Sequence, residues 1–527
     1  MLGFYRRTLD GVLRHQFLTL LVFLATMALS IYLFVAIPKG FFPIQDTGLV
    51  TGFAESAQDI SPQEMSRMMV KLGEVVGSDP DVAAFGSAMG STGSAQTANT
   101  GRFFIALKPR DQRTATATDI INRLRPKLAR VEGVSLVLQP SQDITVGGRI
   151  GRGQFQYTLQ DADLAELNDW APKILTKLRT LPELADASID LQNSTPQLGI
   201  KINRDQAARF GILPQVIDAT LNDAFGQRQV AEYYTQTDTY NVVLEVPPSM
   251  QGKVETLDNI YVKSPLTGQV VPLSTLVTTD NMQVGPLSVS HQSQFPAVTL
   301  SFNLAPGVAL GQAVDAINKA VNDMGKPVAL VGTFQGNAQA FQSSLSSEPV
   351  LIAAALVVVY IILGMLYESF IHPLTILSTL PSAGVGALLA LKAGNMDLSV
   401  IGIIGIILLI GIVKKNGIML VDFAIQRERD GMSSEESIRE ACLLRFRPIL
   451  MTTAAAMLGG VPLMLGHGAG SELRQPLGYA MVGGLALSQL LTLYTTPVIY
   501  LYLDRLQDRL AGRRRGKSKA SALAPAE

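Results

Sequence analysis

Six apolar runs stand out from the mixed background of this chain, at Gln16–Ile37, Pro349–Leu366, Pro373–Leu391, Leu398–Ile425, Pro448–Gly466 and Pro476–Leu503. Each is close to or above the ~20 apolar residues that span a hydrocarbon core. The first carries no charged residue and follows Arg6, Arg7 and Arg14. It is too long for the apolar core of a signal peptide, and no small-residue cleavage site follows it. Pro38-Lys39-Gly40-Phe41-Phe42-Pro43 comes next and reads as a rigid exit from the membrane.

Between the first and second runs the pattern changes to that of a water-facing domain. Leu49–Phe53 alternates as a strand, and Ser61-Pro62-Gln63-Glu64 opens a helix with an N-cap, a proline at the first position and a capping-box partner. Strands at Val82–Phe85 and Arg102–Leu107, a helix at Ala115–Arg130 and a strand at Val134–Leu138 complete the order βαββαβ, the ferredoxin-like split βαβ module. A second copy starts at Gln154–Leu159, Leu164–Leu178 and Ala187–Leu191 and finishes at Ala297–Asn303, Leu310–Met324 and Val328–Phe334. An insertion, Gly199 to Ser288, interrupts it. The expected fold class is an α+β membrane protein: six transmembrane helices and a large external region of two such modules, the second carrying an inserted subdomain.

Composition agrees with partial immersion in lipid. Hydrophobic residues make up 47% and charged residues 16% of the chain, against roughly 25% charged in an average soluble domain. Lys+Arg and Asp+Glu both total 43, so no global charge calls for a nucleic-acid partner. The distribution of positive charge does carry information. Arg427, Arg429, Arg439, Arg445 and Arg447 fall between the fourth and fifth runs, and a basic tail follows the sixth, whereas the short loops on the other side hold only Lys392 and Arg474. The positive-inside rule then puts both termini in the cytoplasm and the long region after the first span outside it. Cys442 is the single cysteine, and His15, His291, His372 and His467 are scattered, so neither a disulfide nor a metal centre is expected. No nucleophile–base set suggests an enzyme.

The most informative residues lie inside the fourth run, at Lys414-Lys415-Asn416. A lysine near the middle of a membrane costs about 2.5–3.5 kcal/mol on insertion scales and calls for a partner. Asp422 shares the Lys415 face but stands ~10 Å further along the helix, and Glu368, Asp397 and Glu472 sit at or beyond span ends. The counter-charge is therefore expected from another polypeptide or another half of the protein. The competing reading, snorkelling to the surface, suits Lys414 better than Lys415, whose face also carries Gly411. Arg445 and Thr452 share a face at the start of the fifth run, where a threonine commonly bonds back to its own helix. Ser382, Gly386 and Ala390 repeat at a close-packing interval. Gly86 to Ser94, rich in Gly and Ser, reads as a loop, with no phosphate-cradle context.

Four stretches resemble one family: Pro38–Pro43 as quoted, Leu366-Tyr367-Glu368-Ser369, Val413-Lys414-Lys415-Asn416-Gly417-Ile418 and Arg445-Phe446-Arg447-Pro448-Ile449-Leu450-Met451-Thr452. Together they look like the C-terminal half of a hydrophobe/amphiphile exporter of the resistance–nodulation–division (RND) superfamily. Gln142-Asp143-Ile144-Thr145-Val146-Gly147-Gly148 and Phe225-Gly226-Gln227-Arg228 look most like subunits of its heteromeric multidrug branch.

The resemblance implies a layout and a function. Residues 1–41 are the N-terminus and first span, and 42–148 the first porter subdomain. The second porter subdomain comprises 149–199 with 288–334, the docking subdomain 200–287, the other five spans 335–505 and the basic tail 506–527. It implies drug/proton antiport across a bacterial inner membrane, without a cofactor or metal. The partners it implies are a homo- or heterotrimer, a periplasmic adaptor, an outer-membrane channel and small amphiphilic substrates. By the same resemblance Lys415 pairs with two aspartates of an N-terminal half, and Thr452 and Arg445 are accessory relay positions. The Gly/Ser run falls at a switch loop, and Phe85, Met89, Gly90, Phe103 and Phe104 fall near a drug pocket, with a place in the strand core the alternative for each of the three phenylalanines. That N-terminal half, with six helices, does not occur in this sequence, so a truncated product, a split gene or a fragment is expected. The alternatives are a non-transporting assembly partner and, more weakly, a metal-ion exporter using Met65, Met68 and Met69.

Overall fold

The computed structural model describes residues 2–90, 97–147, 151–280 and 283–521. Ser91 to Ser94 of the Gly/Ser run and Gly148 lie outside the described residues. The chain forms two compact units, one of Met1–Leu191 with Val289–Glu527 and one of Gln192–Ser288.

The first unit opens with helix α1 (Leu2–Arg14), then α2 (Gln16–Ala36). Next come β1 (Leu49–Ser56), α3 (Pro62–Gly77), β2 (Val82–Met89), β3 (Thr100–Leu107), α4 (Ala117–Leu128) and β4 (Val134–Pro140). Local chemistry starts both helices. The Ser61 hydroxyl accepts from the Glu64 amide at 3.2 Å, and Thr116 and Asp119 form a reciprocal capping box. The four strands pair antiparallel in the order β2-β3-β1-β4. Alternate residues of β1 point inward, so Val50 and Ala54 meet Met65, Leu72, Ile120 and Leu124 of the two helices.

The same order recurs in the second module. Its elements are β5 (Phe155–Gln160), α5 (Leu164–Arg179), β6 (Leu184–Ile189), β7 (Phe295–Leu304), α6 (Leu310–Asp323) and β8 (Val331–Gln335). Here β7 pairs with β6 and β5, and β5 with β8, giving β6-β7-β5-β8. Leu159, Leu167, Ile174, Phe302 and Ile317 fill its core. The Pro38–Pro43 segment links this module to the helices. Phe41 is buried in the module's core, while the Leu398 amide donates to the Pro38 carbonyl at 2.9 Å.

Between β6 and β7 the chain builds the second unit. Two short helices, Arg204–Arg209 and Pro214–Phe225, pack around Ile217, Leu257, Leu273 and Leu276. Its hairpin of Arg228–Tyr234 with Thr239–Leu244 is exposed along every residue of both strands.

Helices α7 (Asn337–Tyr367), α8 (His372–Leu377), α9 (Leu380–Ala393), α10 (Val400–Arg429), α11 (Ser434–Met464) and α12 (Ser471–Ser521) follow. With α8 and α9 counted as one run, six helices among the described residues are long and apolar enough to cross a membrane. Glu368 ends α7 in the left-handed conformation (φ 49°). The small-residue spacing read in α9 has a direct structural use. A Cβ on Gly386 would come within 2.5 Å of the Gly483 carbonyl oxygen, so α9 and α12 meet backbone to backbone. The Ser382 and Ser488 hydroxyls bond across that contact at 3.3 Å. Helix α1 packs on α11 and α12, with the Tyr5 hydroxyl donating to the Leu493 carbonyl at 2.9 Å and its ring stacked on Phe446.

Candidate functional site

Helix α10 has two different sides. Leu409, Val413, Asn416, Gly417, Leu420 and Val421 are buried against neighbouring helices. Ile404, Ile407 and Leu408 are 49%, 37% and 45% exposed, and Gly411 and Lys415 continue the same face one and two turns on. A Cβ on Gly411 would meet nothing within 4 Å. Lys415 is exposed and Lys414 half-buried, and among the described residues no ion pair or hydrogen bond reaches the Lys415 ammonium. The cation thus stands at the end of an otherwise apolar stripe.

One residue further, the chain turns a polar group inward. Asn416 is 5% exposed, and its Nδ2 donates to the Thr453 hydroxyl of α11 at 3.1 Å. Thr453 is itself 4% exposed. This step between the two helices fixes their relative rotation directly beneath Lys415, because slipping it would strand two polar groups in an apolar setting. Sequence reasoning singled out Thr452 and passed over Thr453. Two adjacent threonines on a helix lie about 100° apart, and only a partner's position decides which faces inward.

Thr452 is half-buried and donates to the Ile449 carbonyl of its own helix at 3.2 Å. The Arg445 guanidinium lies 5.2 Å from the centre of the Phe423 ring, a contact between α11 and α10. Its Nε is buried without a partner among the described residues. The structure therefore brings Arg445 to α10 through an aromatic ring and leaves Thr452 satisfied locally. Helix α11 also has an exposed apolar side, with Leu444, Met451 and Leu458 at 54%, 72% and 69%.

The five residues placed near a drug pocket separate into two groups. Phe103 is fully buried in the core of the first sheet. Phe104 points to the opposite face and is 55% exposed. Phe85 is half in the open and lies over α3, where a Cβ on Gly73 would come within 2.9 Å of its ring. Met89 is 40% exposed at the end of β2, and Gly90 turns the chain with φ 74°. Met65 and Met69 are core residues and Met68 packs on that core, so the methionine stripe serves packing.

These features define a multi-span membrane protein that carries a lysine on a span-length apolar helix and two like sheet modules. A model of the AcrB/AcrD/AcrF family matches residues 3–504, and the chain belongs to that family of the RND superfamily. It is 50% identical over 510 residues to Multidrug resistance protein MdtC of Klebsiella pneumoniae (strain 342), covering 97% of this chain and 49% of that protein. With the MdtC of Escherichia coli (strain K12 / DH10B) it shares 49% over 508 residues, 96% of this chain and 49% of the relative. The chain thus spans about half the length of the curated relatives it matches. Among solved structures, a heavy metal efflux pump has the same fold in two crystal forms. The TM-scores are 0.81 and 0.84 at 23% and 22% identity, covering 94% and 95% of this chain and 51% of that one.

Proposed function

We propose that this chain supplies the lysine-bearing half of a proton-driven multidrug efflux transporter. The single observation that carries the proposal is the placement of Lys415. It sits on an apolar helix face, without a counter-charge among the described residues, above the Asn416–Thr453 step. Such a residue is a functional site by default, and it fits an acidic surface supplied by the remaining half of the transporter, on the same polypeptide or a separate one. Protonating the acids weakens their hold on Lys415. Deprotonating them restores it, so the two faces have two arrangements, and α10 transmits the difference to α11 through Asn416–Thr453 and Arg445–Phe423. One charge moved across 100 mV supplies about 2.3 kcal/mol, enough for a modest helix shift.

In this reading the sheet modules are the porter subdomains and the inserted unit is the docking subdomain. The membrane is the bacterial inner membrane, with both termini cytoplasmic and the sheet region periplasmic. The exposed hairpin of the inserted unit supports assembly into a trimer, because a two-stranded ribbon open on both faces is marginal alone. A periplasmic adaptor and an outer-membrane channel complete the path for amphiphilic substrates.

The test is efflux of a fluorescent amphiphile, driven by an imposed pH gradient, in membranes holding the complete transporter at matched levels. The wild type and Lys414→Ala should export, and Lys415→Ala should not. An inactive Lys414→Ala beside an active Lys415→Ala would overturn the assignment. Wild-type activity that needs no pH gradient would overturn the proton coupling.

A further inference from the structure

A groove of about 560 Å³ opens between the end of α2, helix α6 and the first turns of α7. It sits where the first apolar span, Gln16–Ala36, gives way to polar sequence. The helices on either side face outward, with only 6% of the most apolar stretch of α2 and of α7 buried. Lys39 stands in the groove, and its position is fixed twice. Its Nζ donates to the Val35 carbonyl at the end of α2 at 2.7 Å, and its own carbonyl accepts from the Gly311 amide of α6 at 2.9 Å. A Cβ on Gly311 would stand 3.1 Å from that carbonyl oxygen, so the close approach suits glycine.

An ammonium has three N–H donors; one bonds the Val35 carbonyl, and the cation also lies 5.7 Å from the centre of the Phe34 ring. Asp315 lines the same groove, and among the described residues no ion pair joins it to Lys39. Burial pulls the Lys39 ammonium below its ordinary pKa, and Asp315 opposes that pull from across the groove. The groove thus holds an anchored Lys39 and, across from it, the Asp315 carboxylate without an ion pair to it, with Asn318 and Gln342 on its walls. Below it run apolar side chains, Val35 of α2 and Val350 and Leu351 of α7, at 69%, 67% and 58% exposed.

We propose that this groove seats a phospholipid with an aminoalkyl phosphate headgroup. The phosphate would take the free N–H groups of Lys39 and the ammonium the Asp315 carboxylate, while the acyl chains lie along α2 and α7. A purely anionic headgroup would satisfy Lys39 and meet repulsion from Asp315, so the separated charges select the zwitterion. The site stands apart from Lys415 and does not depend on the relay.

The test is reconstitution of the full chain with equal amounts of phosphatidylethanolamine and phosphatidylglycerol, then native mass spectrometry of the lipid retained in mild detergent. The wild type should retain phosphatidylethanolamine in excess. Lys39→Ala should lower that retention about fivefold, the worth of one basic residue at a membrane surface. Asp315→Lys, at an exposed helix position, should turn the preference toward phosphatidylglycerol. Retention in bulk proportion by the wild type, or unchanged preference in Asp315→Lys, would overturn the proposal.

Discussion

The sheet modules and the membrane helices treat charge in opposite ways. In the first module Asp46 and Arg113 leave water together, with side chains 6% and 1% exposed, joined by a two-pronged contact whose Nη1–Oδ2 arm is 2.7 Å. Arg123 likewise holds both oxygens of Asp79 and one of Asp81. Between the modules Arg152 meets Glu55 at 2.6 Å, bonds the Ile189 carbonyl and lies over the Phe53 ring. Helix α10 instead carries Lys415 outward on an apolar stripe, with no ion pair or hydrogen bond to its ammonium among the described residues. A buried pair signals a surface complete within the chain, whereas the exposed cation on an apolar helix face is where the proposed partner surface would dock.

Removing the isolated cation should have the largest effect. In the complete transporter, Lys415→Ala should lower proton-driven efflux about 100-fold. On the proposed relay, acids left without their counter-charge would hold protons more tightly and stop cycling. Insertion and membrane level should not change, which immunoblotting checks.

Breaking a completed pair should act on stability. Arg152→Ala leaves Glu55 half-buried beside Asp190 without its cation, and burial already raises the Glu55 carboxyl. The cost should be about 3 kcal/mol, read as faster hydrogen exchange in β1 and β6. Asp46 gives the pH dependence. Burial opposes its ionisation, yet the Arg113 guanidinium and the Ala117 and Gly48 amides prevail and hold its pKa below 3.8. Its stabilisation is therefore fully present above that value and is lost as pH falls through the lower folded one. Asp46→Asn should remove this acid dependence from the exchange of β1 and α4.

How much of this could be read from residues alone follows the same division. The βαββαβ order in both modules was legible because strands and helices there are amphipathic, and alternation or a 3.6-residue period shows which side is buried. The six spans were legible from apolar length. The Lys414-Lys415 pair was legible as an interruption of an apolar run. Asn416–Thr453 was not, since an all-apolar helix gives no period by which to tell inside from lipid. Helix α1 was missed because its apolar positions Tyr5, Leu9 and Leu13 are interrupted by arginines and acquire meaning only against α11 and α12. The Lys39 groove joins residues from three distant segments, which no local pattern reports.

Smaller effects sharpen the contrast within the membrane. Asn416→Ala removes a buried bond between helices and should cost about 1 kcal/mol in reversible unfolding in mixed micelles. Thr452→Ala should cost less than about 0.5 kcal/mol, since that hydroxyl bonds only its own helix, as Ile449 accepts it. If Thr452→Ala proves the more damaging to stability, α11 is rotated from the position described.

The most direct measurement asks whether the Lys415 face is covered in the working protein. Cys442 is the chain's one cysteine and is buried, so Cys442→Ser clears the background. Gly411→Cys then places a spin label on the Lys415 face, where an added Cβ meets no neighbour. With residues 1–527 alone in bilayers, collisions with dissolved oxygen should be frequent at that label. With the proposed remaining half present, they should fall to the level of a label at buried Gly417. Equal oxygen access in both cases would mean that the face looks into lipid, and Lys415 would then have no partner to pair with.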